Sequence, residues 1–493
     1  MSLGARRAVL LLVAVATLLR LVLAALIDLG LDEAYALAVS RQFQLSWFDH
    51  PPMIFWIAGA MQAIFGLGVP DVLLRLPFIA LSAATTWLLY RTTALHFGDR
   101  AGLWAAFLFT LAPFFFLSAS SWVVPDGPLL FALVLSAWAL SRIVLDGRTD
   151  GNWANWLLAG AALGLALLSK YHAAIFGVGA LIYVVLHPGM RRWLLRPQPY
   201  VAVLAALALF APVLVWNAQN DWASFAFQLG RGTAVGGSSP ERLARLFLTE
   251  AAYLLPTTAL LLVAALLWAV LRRPAPRQSL GFFLALGLPM VVVLDANRFW
   301  TWQAYPHWAL PGWMLLLPLA GAILVALQAR WLRAAPLVAA ISLLQFAGVV
   351  VAGFLLLSDW RIRDPGIDAF RVEAGSWSGV AEGVAAAGVL DEAGFVVARR
   401  WSDAARAAEA LRAPVPTLVF EDGRGFDWLT DPSALVGRDG LIVVRAGESD
   451  QMLERYAAFF ESYEPVGTYP VEEGNPALVT VTLGRNLLAP WSD

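Results

Sequence analysis

Directly after an unbroken apolar run, the stretch GLDEAYALAVSRQFQLSWFDHPPMIFW (residues 30–56) sets Asp32, Glu33, Asp49 and His50 within about twenty residues. A carboxylate at the edge of lipid can act as a general base. The low-dielectric flank raises its pKa, and it then accepts a proton from an incoming hydroxyl or amine. Asp32 and Glu33 qualify, but acids that open an amphipathic helix (LDEAYALAVSRQF) also complement the helix dipole with no catalytic duty. Asp126, in SSWVVPDGPLLF, reads either as an Asp-Gly turn or as a second acid of the same site. Asp49 and His50 stand before Pro51 and Pro52, which suits a helix start. The same pair is a weak metal or phosphate signal, with Asp49 the metal candidate.

Cations complete the set. Lys170, in LALLSKYHAAIF, is the only lysine among 34 basic residues. An ionisable residue at membrane depth is functional by default. A compact ammonium there suits a phosphate at headgroup level, with snorkelling as the alternative. Arg231 in FQLGRGTAVGG and Arg298 in DANRFWTWQAYPHW are the other candidate phosphate contacts. His50, Tyr171, His172, Trp302, Tyr305 and His307 are the candidate substrate contacts. Arg20, inside the first apolar run, is either a buried ion-pair partner or a snorkelling residue.

The elements that must position these residues are written in the hydropathy. The 493 residues are 60% hydrophobic and 14% charged, against roughly 25% charged in a soluble domain. With no cysteine, disulfides, thiolate chemistry and cysteine metal sites are excluded. The net charge of −1 hides a division: residues 359–493 hold 22 of 35 acids and 12 of 34 bases, a net of −10, and the remainder nets +9. Eleven apolar runs long enough to span a bilayer recur, at about 8–27, 72–95, 101–119, 128–145, 154–169, 171–187, 199–217, 250–271, 279–294, 309–329 and 336–357. The first is about 20 residues, longer than the ~7–15 of a signal-peptide core, and reads as a retained span.

Alternate connections carry Arg6-Arg7, Arg91 with Arg100, Arg142 with Arg148, Arg191-Arg192 with Arg196, Arg272-Arg273 with Arg277, and Arg330 with Arg333. That bias places them in the cytoplasm. The opposite connections, 28–71, 118–127, 169–171, 218–249 and 295–308, then face outward and hold most of the acids of the membrane part. Trp47, Trp122, Trp216, Trp222, Trp300, Trp302 and Trp308 there read as an interfacial belt. From residue 360 the chain reads as soluble α/β. GVAEGVAAAGVL and SDAARAAEAL have helical spacing, and GFVVARR, PTLVFE, GLIVVRA and ALVTVTLG read as strands. No nucleotide loop or metal cluster occurs in that part, which is expected to serve as a lid, acceptor-docking or stability module. The expected fold class is an all-α polytopic membrane protein of about eleven helices (1–358), whose first outer loop (28–71) carries amphipathic surface helices, with a small C-terminal α/β domain (359–493).

Taken in order, DEA-Y, FDHPP, LRLP with Arg75, PDGPLL, LSKYHA and PVLVWNAQNDWASFAFQLGRG resemble the GT-C integral-membrane glycosyltransferases over residues 1–350. The nearest likeness is to bacterial members of the protein O-mannosyltransferase family that resemble lipid A aminoarabinose transferases. The resemblance implies a GT-C fold and inverting transfer of a sugar from a polyprenyl phosphate, on the periplasmic face of the bacterial inner membrane. It implies Asp32 as the catalytic carboxylate, with Glu33 beside it, Asp126 assisting, and Lys170 and Arg231 on the lipid phosphate. Arg298 serves as a further phosphate contact on charge alone. The aminoarabinose enzymes carry Glu-Lys before the double proline, where this chain has Asp49-His50, so the sugar stays open. No cofactor is required, a divalent metal at Asp49 being the one admitted. The expected partners are the lipid-linked donor, a lipid or glycan acceptor and membrane lipids, with no nucleic acid, on a monomer. Lipid A or lipopolysaccharide, another envelope glycan and a protein hydroxyl all stand as acceptors. The rival from another class is a transporter or flippase for a lipid-linked sugar, which would spread polar residues through several spans.

Overall fold

The computed structural model describes residues 3–146, 151–234, 236–237, 239–272, 276–358, 375–472 and 475–491. Each of the eleven apolar runs lies on helix. Seven straight helices are long and apolar enough to cross a bilayer: Leu3–Leu26, Asp71–Phe97, Asp126–Asp146, Pro197–Gln219, Arg277–Phe299, Leu310–Arg330 and Ala334–Leu355. Three further spans pass only as bent pairs, Asp99–Leu111 with Phe114–Ser121 (87°), Ala173–Leu186 with Pro188–Leu195 (102°) and Pro240–Leu254 with Pro256–Leu271 (99°). The eleventh run, Trp153–Ser169, is a helix of 17 residues, short for a crossing. The described residues thus hold seven to ten spanning helices rather than eleven.

The bends have one cause. Each sits at a proline: Pro113, Pro188 or Pro256. Proline lacks the N–H for the ladder, and its ring pushes the preceding residue out of the helical region. Ala112 (ψ 121°), His187 (ψ 114°) and Leu255 (φ 67°, ψ 138°) all show it. Hydropathy stays high through such a bend, so the sequence reads one straight span where the chain turns. After Pro113 the backbone runs as a π-helix, Phe114–Ser118. Arg20 of the first span donates to the Phe116 carbonyl at 2.9 Å and lies 4.9 Å from the Phe116 ring, buried and with no ion pair among the described residues. Elsewhere small residues let helix backbones touch: a Cβ at Gly160 would strike Ala202, and one at Gly179 would strike Ala285.

The expected boundary near residue 359 falls outside the described residues, between the end of Ala334–Ser358 and residue 375. The C-terminal part is a five-stranded sheet, β1 (Phe395–Ala398), β2 (Thr417–Val419), β3 (Gly440–Arg445), β4 (Phe460–Pro470) and β5 (Leu478–Leu487), in the order β2-β1-β3-β5-β4. β2, β1 and β3 are parallel; β5 is antiparallel to β3 and to β4. Helices Ser378–Ala387 and Trp401–Leu411 cover one face, and Ser449–Tyr456 covers the other. The sequence reading missed β4. It is an edge strand, mostly exposed, with Pro465 and a register shift before Gly467, so neither alternation nor a hydrophobic run marks it.

Helix Leu31–Val39 does not lie on a surface as expected. Every residue from Glu33 to Val39 is buried. Helix Trp401–Leu411 packs over it, with Ala34, Ala36 and Ala38 meeting Ala404, Ala405 and Ala408 in one apolar cluster. Its apparent polar face is an inter-domain face. Arg406 donates to the Leu29 carbonyl (2.7 Å), and Arg41 to the carbonyls of Ala413 (3.1 Å) and Ala408 (2.5 Å). The interfacial belt also divides. Trp222, Trp300 and Trp302 are exposed, while Trp47, Trp216 and Trp308 are buried as packing residues.

Candidate active site

Five elements meet at one buried ion pair. Glu33 takes a bidentate contact from Arg75, with Nε–Oε1 at 2.8 Å and Nη2–Oε2 at 2.6 Å. The same carboxylate accepts the N–H of Gly30 (2.8 Å), which opens its own helix, and that of Val123 (3.0 Å) in the loop before Asp126. Arg75 also donates to the carbonyls of Ala24, Ile27 and Asp28, closing the end of the first span. Glu33 is therefore spent on structure. Asp32, one residue earlier, points the other way.

Asp32 lines a cavity of about 550 Å³, and every one of the five expected outward connections supplies a wall. Asp32, Tyr35, Asp49 and His50 come from the first and Asp126 from the second. Lys170, Tyr171 and His172 form the tight turn, Arg231 follows, and Tyr305, His307 and Trp308 come from the last. Three cations and three carboxylates face it. Lys170 Nζ holds both Asp126 oxygens at 2.9 and 2.8 Å. Arg424, from the loop after β2, pairs with Asp49 at 2.9 Å, and the Tyr35 hydroxyl donates to Asp49 at 3.1 Å. That leaves Asp32 and Arg231. Asp32 is open to the cavity while protein surrounds it, and burial raises its pKa, opposed by Arg424 and reinforced by Asp49. Among the described residues no carboxylate pairs with Arg231, whose guanidinium lies over the rings of Phe227, Tyr305 and Trp308 at 5.4 to 5.6 Å. Burial pulls His50 down to about 4 and His172 and His307 to about 3, so all three are neutral near pH 7. Among the described residues, then, one carboxylate and one guanidinium without an ion-pair partner face a common space.

The family profile described as dolichyl-phosphate-mannose-protein mannosyltransferase matches residues 49–216. Over 323 residues the chain is 27% identical to the lipid A galacturonosyltransferase RgtD of Rhizobium johnstonii, a match covering 62% of each chain. Over 199 residues it is 28% identical to the lipopolysaccharide core galacturonosyltransferase RgtA of the same organism, covering 39% of this chain and 38% of the other. The chain thus spans less than two thirds of the length of either relative. The crystal structure of ArnT from Cupriavidus metallidurans bound to undecaprenyl phosphate superposes with a TM-score of 0.60 at 17% identity, over 96% of this chain and 97% of that one. The chain has the GT-C fold. It is a multi-pass membrane protein.

Of the residues singled out in its sequence, the GT-C chain gathers Asp32, Asp49, His50, Asp126, Lys170, Tyr171, His172, Arg231, Tyr305 and His307 in the one cavity. Three fall elsewhere. Glu33 is the clamp just described. Arg298 is fully buried against Glu250 (2.7 Å) and Asp295 (2.7 Å), because an arginine inside the protein with two carboxylates at hand satisfies its charge there rather than on a ligand. Trp302 is exposed on an adjoining groove. The metal expectation at Asp49 also fails the fit. Its carboxylate is engaged by Arg424 and Tyr35, and among the described residues no three His, Cys, Asp or Glu side chains gather as a ligand set. Sequence reasoning missed Arg424 and Trp401, both from the C-terminal domain. The one available signal was an arginine between two glycines in EDGRGFDW, which resembles any turn.

Proposed function

We propose that this GT-C chain is a bacterial inner-membrane glycosyltransferase. It moves a sugar from a polyprenyl phosphate to lipid A, lipopolysaccharide or another envelope glycolipid, at a site on the periplasmic face. The observation that carries this reading is that one cavity holds a carboxylate, Asp32, and a cation, Arg231, neither of which has an ion-pair partner among the described residues. Asp32 takes the proton from the acceptor hydroxyl, and the freed oxygen attacks the anomeric carbon from the side opposite the phosphate. The bond from that carbon to the phosphate oxygen breaks, and polyprenyl phosphate leaves with one more negative charge. Arg231 meets that charge, with Lys170 beside it held in place by Asp126. A single displacement inverts the anomeric centre. The three neutral histidines and Tyr171 offer hydrogen bonds to sugar hydroxyls without adding charge. Likeness to the two galacturonosyltransferases makes a uronic acid the first sugar to test.

The test is direct. The full chain in lipid nanodiscs is supplied with polyprenyl-phosphate-linked uronic acid and rough lipopolysaccharide, and the products are read by mass spectrometry. The expected result is one added glycosyl mass and free polyprenyl phosphate. Failure to transfer any sugar from any polyprenyl phosphate would overturn the reading.

A further inference from the structure

A second, larger hollow adjoins the reaction cavity. It measures about 1390 Å³ and shares Arg231, Tyr305, Trp401 and Arg424 with the cavity as common walls. One bank belongs to the membrane helices and their loops, the other to the C-terminal domain, chiefly the loop running from Phe420 to Trp428. Sites for one small molecule run at ~300–1,000 Å³, so this volume fits an extended ligand. Three of its rings stand in solvent: Trp302 is 60% exposed, Tyr305 49% and Trp428 37%. Clustered exposed rings mark a ligand face. The same lining holds Glu421, Asp422, Asp427 and Arg455, with Arg455 paired to Glu421 at 2.6 Å.

That mixed aromatic and charged lining selects the ligand class. An acyl chain gains nothing from a wall of carboxylates and arginine, which would lose water on contact with it. A sugar ring presents an apolar C–H face to a flat aromatic and a rim of hydroxyls to acceptors and donors. The loop is also held in a definite shape. Asp422 (φ 46°) and Arg424 (φ 51°) both occupy the left-handed region, and a Cβ at Gly425 would clash with the Tyr35 hydroxyl. Backbone strain of this kind persists where the surroundings over-determine it, and it concentrates at functional sites. Here it carries Arg424 from the groove into the cavity, 4.3 Å over the Trp401 ring.

We propose that this groove binds the carbohydrate part of the acceptor and leads its hydroxyl past Trp401 and Arg424 to Asp32. The proposal rests on the transferase reading above. The test uses Trp302→Ala and Arg455→Ala in the full chain in nanodiscs. Both side chains are exposed, so their truncation leaves no hole. Initial rates are measured against two acceptor probes, rough lipopolysaccharide and its delipidated core oligosaccharide, with binding of polyprenyl phosphate measured separately. KM for both probes rises about three- to tenfold, the scale of one aromatic contact, while polyprenyl phosphate affinity stays within about twofold. Unchanged KM in both variants, with normal transfer by the parent, overturns the groove alone. A rise matched by an equal loss of polyprenyl phosphate affinity overturns it as well, because the groove would then serve the donor. No transfer by the parent protein to any envelope glycolipid sinks the transferase reading and the groove together.

Discussion

Two neighbouring carboxylates, Asp32 and Glu33, show how one residue of helical rotation separates a side chain facing the cavity from one held in a structural ion pair. Glu33 is bound on four sides, and Asp32 is left open to the cavity. As the proposed base Asp32 must be ionised, so turnover is expected to fall as pH drops through its pKa, which burial raises above the usual carboxylate value. The same shift has a cost. The folded state holds that proton more tightly than the unfolded chain, so ionised Asp32 lowers stability at neutral pH. Asp32→Asn is therefore expected to cut transfer by about 10²–10⁴-fold with a thermal midpoint no lower than the parent's. A joint fall in activity and midpoint would make Asp32 structural. The histidines carry the opposite sign. Their folded pKa values of about 3 to 4 lie below the unfolded value, so stability present above roughly pH 6.5 is lost as pH falls toward 4. Thermal melts taken from about pH 7.5 down to about pH 4 check this, and His172→Gln should flatten the decline. Lys170 and Asp126 act as a unit. Lys170→Met leaves a buried carboxylate without its cation, at about 3–5 kcal/mol, and adding Asp126→Asn should restore part of that loss.

Among elements, the Glu33–Arg75 pair ties the end of the first span, the start of Leu31–Val39 and the loop before Asp126 into one body. It sets where two of the three cavity carboxylates point. Glu33→Gln keeps the shape but leaves Arg75 buried beside a neutral partner, and about 3–5 kcal/mol of stability should go with the charge. Activity should fall with it, because the helix that presents Asp32 loses its anchor. Wild-type melting and turnover in this variant would show the clamp to be dispensable. The proline bends are the other device at this scale. Pro113 turns the chain so that Phe114, Leu117 and Ser118 face the cavity instead of continuing through the bundle.

For the whole molecule, the C-terminal domain is part of the site. Arg424 and Trp401 wall the cavity, and helix Trp401–Leu411 buries the very helix that carries Asp32. A chain ending at residue 358 should still insert, since the spans bury their own core, yet it should lose transfer entirely. Turnover by the truncated chain at a measurable fraction of the parent rate would return the domain to the role of a lid. Arg424→Ala in the full chain should reproduce most of that loss, because it leaves Asp49 buried and unpaired.

What the sequence determined by itself was the periodic, local part. Apolar runs, their arginine-marked alternate connections and the turn-punctuated strands depend on nearest neighbours and on lipid, so the helical character of the eleven runs and four of five strands were legible, while the bends that cut the spans to seven to ten were not. The five polar connections were legible as a group for the same reason, and they do converge. Only the tertiary structure decided which charges stay free. Arg298 and Arg231 look alike along the chain, but Glu250 lies next to one, while the other lies over aromatic rings and pairs with no carboxylate among the described residues. Asp49 and Arg424 are 375 residues apart, and no local pattern pairs them. Charge pairing is settled by distance in space, and the sequence records only distance along the chain.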